Sequence, residues 1–212
     1  MNELLNQYLN KHLPLSSNWV IELEKQAKID RIPIMDPIGM NFLMQLIRLN
    51  KPKKILEVGA AIGYSALRMH EAYPESHITT IERDDVRYKQ AVENISKQNK
   101  ASNITIIHGD ALEELEELAN KKLTYNCIFI DAAKGQYKKF FELSIPLLED
   151  NGFVVTDNVL FRGYVAEPEF DHPRYKKMVE KIRVFNEWLV NHPNFVTTIL
   201  PIGDGVAISY KK

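Results

Sequence analysis

Residues 53–69 read KKILEVGAAIGYSALRM. The first half is a short apolar run containing the β-branched Ile55 and Val58, the composition of a buried strand. Gly59 and Gly63 then punctuate the chain, and from Tyr64 the apolar residues recur at helical spacing. A strand that enters a helix through glycines is the opening unit of many nucleotide-binding α/β proteins, because glycine lets the backbone turn sharply and lets a ligand approach closely. The same alternation continues outward. Strand-like runs follow at HITTIE (77–82), NITIIH (103–108), YNCIFID (125–131) and GFVVTD (152–157), with helix-length amphipathic segments at 64–73, 84–99, 111–121 and 136–149. This order predicts βαβ units, hence a parallel sheet with helices on both faces.

The C-terminal part breaks the alternation. After a helix over about 173–191, bounded by Pro173 and Pro193, FVTTIL (195–200) and VAISY (206–210) flank the short stretch PIGDG. Two strands across so short a glycine-containing loop form an antiparallel hairpin, which brings the strand count to seven. Residues 1–50 read as helices that cap the sheet: Leu4, Leu5, Tyr8 and Leu9 share one helical face, Trp19, Leu23 and Ala27 another, and a third helix runs from Gly39 to Leu49, entered through Pro37. The expected architecture is a single domain over 1–212, with a helical cap (1–50) and an α/β core (51–212).

Composition narrows the class. The 212 residues are 45% hydrophobic, enough for a substantial core, and 27 basic residues against 28 acidic ones favour no charged partner overall. One cysteine, Cys127, lies in the apolar run NCIFI and permits no internal disulfide, as suits a reducing compartment. The N-terminal stretch lacks a basic start followed by an apolar run, and nothing approaches the roughly 18 apolar residues of a membrane span. The expectation is a cytoplasmic protein.

Three groups of residues carry chemistry. First, Gly59 and Gly63 are spaced GxxxG, and Ala61 stands where a dinucleotide fingerprint has its second glycine. That glycine makes room for a pyrophosphate, so its absence disfavours an NAD-dependent oxidoreductase. Glu82 ends the second strand, where a carboxylate can hold ribose hydroxyls. Second, Asp110 in HGDA can accept from an exocyclic amine, or cap the helix that begins at Ala111 with Glu113 as a capping-box partner; both readings stay open. Third, Asp131 and Asp157 end strands expected to be neighbours, and Asn158 follows. Three oxygen donors without sulfur or imidazole suit a hard cation such as Mg²⁺, although each acid alone is as readily a turn former. A turn after Asp131 brings the Lys134 amine over the same crevice, where it could serve as proton acceptor.

Taken together, EVGAAIGYSALRM (57–69), Glu82, GDA (109–111), IDAAKGQY (130–137) and TDNV (156–159) resemble the cation-dependent class I methyltransferases, the catechol O-methyltransferase-like family. The resemblance implies a seven-stranded sheet with a reversed last strand and S-adenosylmethionine as methyl donor. It implies contacts to that donor from Met35, Gly59, Ser65, Glu82, Asp110, Ala111 and Asp131, a Mg²⁺ held by Asp131, Asp157 and Asn158, and Lys134 as general base. Within the family, IPIMDPIGMNFLMQLI, DNVLFRG and the basic run RYKKMVEKIR (174–183) most resemble the tRNA 5-hydroxyuridine methyltransferases, which implies a tRNA acceptor. Arg162, Arg174, Lys176, Lys177, Lys181 and Arg183 would then meet RNA phosphates near the site's mouth. Against this stands an ordinary charged helix face, because Glu180 and Glu187 lie on it too. Phe161 and Tyr164 either stack on a base or pack locally. The rival acceptors are a small catechol or a caffeoyl-type phenol, and the N-terminal helices offer a face for a homodimer.

Overall fold

The computed structural model describes residues 3–212. Seven strands form one sheet: β1 (Lys54–Val58), β2 (His77–Glu82), β3 (Ile104–His108), β4 (Tyr125–Ile130), β5 (Leu148–Thr156), β6 (Phe195–Leu200) and β7 (Val206–Lys211). Their order is β3-β2-β1-β4-β5-β7-β6. The first five strands are parallel, and β7 runs antiparallel to both β5 and β6. The seven-stranded sheet with a reversed last strand is therefore as the sequence predicts.

Alternate residues of the central strands feed two cores. Ile55, Cys127, Phe129, Phe153 and Val155 face α2 (Asn18–Asp30), α3 (Pro37–Asn50) and α4 (Tyr64–Ala72). Leu56, Ile128, Ile130 and Val154 face α6 (Ala111–Asn120), α7 (Tyr137–Ser144) and α8 (Lys176–Val190). Burial on both faces explains why these strands read as continuous apolar runs and not as alternating ones. The remaining helices are α1 (Glu3–Lys11) and α5 (Asp85–Lys97). Among the described residues no helix is long and apolar enough to cross a membrane.

Three boundaries differ from the sequence reading. The helix expected over 136–149 stops at Ser144, because Pro146 has no N–H to donate, and a 3-10 turn (Ile145–Leu147) leads straight into β5. That strand starts at Leu148 and not Gly152: Leu148 pairs with Tyr125, and an irregularity then absorbs extra residues before Phe153 pairs with Cys127. The last helix begins at Lys176, beyond Pro173. Finally, α1 lies against α3 but buries no residue of its own, and Leu4, Leu5 and Tyr8 are exposed at 73%, 47% and 59%.

Candidate active site

The parallel ladder extends past the strand ends and brings the polar residues to one edge. Asp131 N–H donates to the Val58 carbonyl at 3.0 Å, and Asp157 N–H donates to the Ile130 carbonyl at 3.0 Å. Gly59 and Ala60 N–H both donate to the Ile81 carbonyl, at 3.1 and 3.0 Å, and Gly109 N–H donates to the Glu82 carbonyl at 3.1 Å. Each residue that follows a strand is thus tied to the neighbouring strand. The crevice beyond the carboxyl ends of such a sheet is where ligands bind.

A single cavity of about 550 Å³ occupies this edge, and all ten residues singled out in the sequence line it: Met35, Gly59, Ser65, Glu82, Asp110, Ala111, Asp131, Lys134, Asp157 and Asn158. On one side lies the glycine turn. Gly59 has φ 104°, and a Cβ there would collide with the Asp131 carbonyl, so only glycine fits. Glu82 braces the turn, accepting Ala61 N–H at 2.8 Å on one oxygen and Asp84 N–H at 2.9 Å on the other. Gly59→Ala forces both a positive φ and a backbone clash, each a costly fault. We expect its melting temperature to fall by about 5 °C or more, measured by calorimetry; an unchanged value would contradict the close approach.

Asp110 caps α6, accepting Leu112 N–H at 2.9 Å through Oδ1. Its other oxygen lies 3.8 Å from Arg83. The capping reading therefore holds for one oxygen while the residue still borders the cavity.

On the other side lies the oxygen cluster. Asp157 is 1% exposed and accepts Asn158 N–H at 2.7 Å. Tyr137 Oη donates to the Asp157 carbonyl at 2.8 Å and fixes that backbone from below. The Lys134 ammonium donates to Asn158 Oδ1, so the turn after Asp131 does fold the lysine back over the crevice. Burial pushes the Asp131 carboxyl above its ordinary range, with Lys134 opposing. Burial, then the neighbouring Asp131 charge, pushes Asp157 well above its own. Two such acids side by side are short of positive charge. Among the described residues no group of three His, Cys, Asp or Glu side chains forms a metal cluster. The set here is two carboxylates and an amide, all oxygen, which fits a hard cation that keeps several waters.

The O-methyltransferase family profile matches residues 17–212. The chain belongs to the O-methyltransferase family. Among its relatives, a caffeoyl-CoA O-methyltransferase of Stellaria longipes is 31% identical over 217 residues, covering 97% of this chain and 89% of that protein. A structure from Staphylococcus aureus, provisionally described as a caffeoyl-CoA O-methyltransferase, superposes with a TM-score of 0.88 at 39% identity, covering 100% of this chain and 99% of that one. An O-methyltransferase from Bacillus cereus solved in complex with SAH superposes at 0.85 and 26% identity, covering 98% of this chain and 97% of that one.

One buried group of this O-methyltransferase escaped the sequence reading. Glu57 is 0% exposed at the end of β1; Thr80 Oγ1 donates to its Oε2, and among the described residues its Oε1 has no hydrogen-bond partner. Burial raises its pKa from 4.5 to about 7. The signal was available, since an acid within an apolar strand must be neutral or paired. The folded state holds this proton more tightly than the unfolded one. Its stabilisation is therefore complete below about pH 4.5 and is lost as pH rises toward 7. Glu57→Gln keeps an acceptor for Thr80 without the titration. We expect the melting temperature of the variant, relative to the parent, to gain about 5 °C between pH 5 and pH 8; a difference independent of pH would show that Glu57 is ionised throughout.

The basic insert, the stretch after Asn158 that holds Arg162, Arg174, Lys176, Lys177, Lys181 and Arg183, is only partly free. Arg162 lines the cavity, and a Cβ on Gly135 would come within 3.6 Å of Lys181 Nζ, which puts Lys181 beside the loop that carries Lys134. Lys177 is exposed. Lys176 pairs with Asp171 at 3.2 Å, and Arg174 lies over the Tyr175 ring at 5.4 Å. Arg183 donates to the carbonyls of Val165 at 3.0 Å, Tyr164 at 3.3 Å and Glu167, so its guanidinium serves the fold of the insert. Phe161 and Tyr164 pack locally, 5.9 Å apart, and Tyr164 stacks on Phe170 at 4.5 Å.

Proposed function

We propose that the chain transfers a methyl group from S-adenosylmethionine to a hydroxyl oxygen with the help of Mg²⁺, and that the acceptor is 5-hydroxyuridine at the tRNA wobble position, giving 5-methoxyuridine. The observation that carries the reaction is that the glycine turn and the oxygen cluster share one cavity. In this reading Met35 contacts the donor, Gly59 and Ser65 bind its methionine part, Glu82 the ribose, and Asp110 with Ala111 the adenine side. Asp131 would serve the donor as well as the cation, and with Asp157 and Asn158 it would hold Mg²⁺. When bound, such a cation would make the acceptor hydroxyl more acidic. Lys134, as the neutral amine, takes the hydroxyl proton; the oxygen's electron pair forms the new bond to carbon as the carbon–sulfur bond breaks, releasing a neutral thioether. Much of the rate comes from holding both reactants in line.

Arg162 at the cavity and the exposed Lys177 and Lys181 support an RNA acceptor, because phosphates are bound by such groups. The names of the relatives favour a second reading, a caffeoyl-type phenol. The test incubates the enzyme with S-adenosylmethionine and tRNA from a strain lacking this gene, followed by nucleoside mass spectrometry, with caffeoyl-CoA in parallel. We expect 5-methoxyuridine, abolished by EDTA and restored by Mg²⁺. Methylation of caffeoyl-CoA alone would overturn the tRNA acceptor, and methylation of neither would overturn both.

A further inference from the structure

The turn PIGDG (201–205) does more than close the hairpin between β6 and β7. Four consecutive amides just after the oxygen cluster donate to it. Val159 N–H reaches the Gly205 carbonyl at 3.0 Å, and Leu160 and Phe161 N–H reach the Asp204 carbonyl at 2.9 and 3.1 Å. Arg162 N–H reaches the Asp204 side chain, at Oδ1, at 3.0 Å. The turn is wedged in place. A Cβ on Gly205 would come within 2.6 Å of Leu160 N, and one on Gly203 would collide with the Asp36 carboxylate at the start of α3.

The segment held in this way is strained. Asn158, Phe161 and Arg162 have φ of 57°, 42° and 59°. Asparagine tolerates the left-handed region, but a bulky aromatic and an arginine in succession do not adopt it without support. Support comes from both ends, from Asp204 on one side and from the Arg183 guanidinium on the other. Phe161, Arg162 and Asp204 all line the cavity. A hairpin turn that merely reversed the chain would need no aspartate reaching a separate segment.

We propose that Asp204 is a positioning residue: through the backbone of residues 160–162 it holds Phe161 and Arg162 as a fixed wall of the acceptor side of the cavity. This rests on reading that side as the acceptor site. The strain is local, because without the carboxylate oxygen Arg162 N–H loses its partner and the tandem left-handed backbone can relax. The Phe161 and Arg162 side chains then move relative to the Asn158 side of the cavity they line.

The test compares Asp204→Ala with Asp204→Asn, whose amide oxygen accepts the same bond. At saturating S-adenosylmethionine, using whichever of 5-hydroxyuridine tRNA and caffeoyl-CoA the parent methylates, Asp204→Ala should raise the acceptor KM about tenfold or more with little change in kcat. The donor Kd, by calorimetry, should stay within about twofold, and Asp204→Asn should behave as the parent. Amide exchange at Arg162, the one amide of residues 160–162 that the side chain accepts, should be about tenfold faster in Asp204→Ala. An unchanged acceptor KM in Asp204→Ala overturns the proposal. Equal damage in both variants would mean that the charge matters and not the tie, and parallel loss of donor affinity and melting temperature would mean a general defect; either also overturns it. If the parent methylates neither acceptor, the functional reading fails by itself, and unchanged exchange at Arg162 would still overturn the tie.

Discussion

Asp157→Ala should lower methyl transfer by about a thousandfold or more, the scale of removing a preorganised charge from an active site. The side chain is 1% exposed and, among the described residues, no basic side chain bonds it directly and its oxygens accept only from Asn158, the backbone N–H on one and the amide Nδ2 on the other, at 2.7 and 3.1 Å. A carboxylate that is buried, beside another carboxylate and bonded only by neutral donors costs stability in the ligand-free protein. That arrangement makes sense where a cation offsets it. A second measurement separates this from a folding defect. Mg²⁺ should raise the melting temperature of the parent, as any ligand of the folded state does, and should leave that of Asp157→Ala unchanged. Full activity of the variant in EDTA would sink the metal reading, and a Mg²⁺ shift of parental size in the variant would place the cation elsewhere.

Much of this site was legible because topology does the assembling. In a parallel sheet every strand delivers its last residue to the same edge, so Glu82, Asp131 and Asp157 converge although 75 residues separate the first from the last. No side-chain geometry is needed to foresee that. Gly59 was legible for a similar reason, since a glycine between a strand and a helix signals a backbone constraint, here the Asp131 carbonyl. What stayed hidden depends on contacts between distant segments. The bonds from Asp204 to residues 160–162 join two loops, and neither carries a periodic pattern. Arg183 reads as one more cation on a charged helix face, yet it is bound to three carbonyls of the insert. The face shared by Leu4, Leu5 and Tyr8 predicts a packed helix, but amphipathicity says only that a face seeks cover and not what covers it. The early start of β5 was missed because LEDN, polar in its latter half, conceals a pairing made at Leu148 alone.

Lys134→Ala should reduce kcat by about a hundredfold to ten-thousandfold, the range for a positioned proton acceptor, with the donor Kd little changed. The structure adds a consequence that separates this role from metal binding. Lys134 donates to Asn158 Oδ1, one of the oxygens assigned to the cation, and its charge opposes the rise of the Asp131 carboxyl. The ammonium therefore competes with a cation for the same amide and for the same electrostatic need. Removing it frees that oxygen, so Lys134→Ala should bind Mg²⁺ at least as tightly as the parent by titration calorimetry while it loses turnover. A variant that lost both together would make the lysine part of the cation site. Lys134→Arg refines the assignment, because a guanidinium keeps the charge but does not give up its proton in a protein. If Lys134 accepts the proton, arginine should be nearly as inactive as alanine. Activity close to that of the parent in Lys134→Arg would make the residue an electrostatic clamp on the acceptor and leave proton transfer to water.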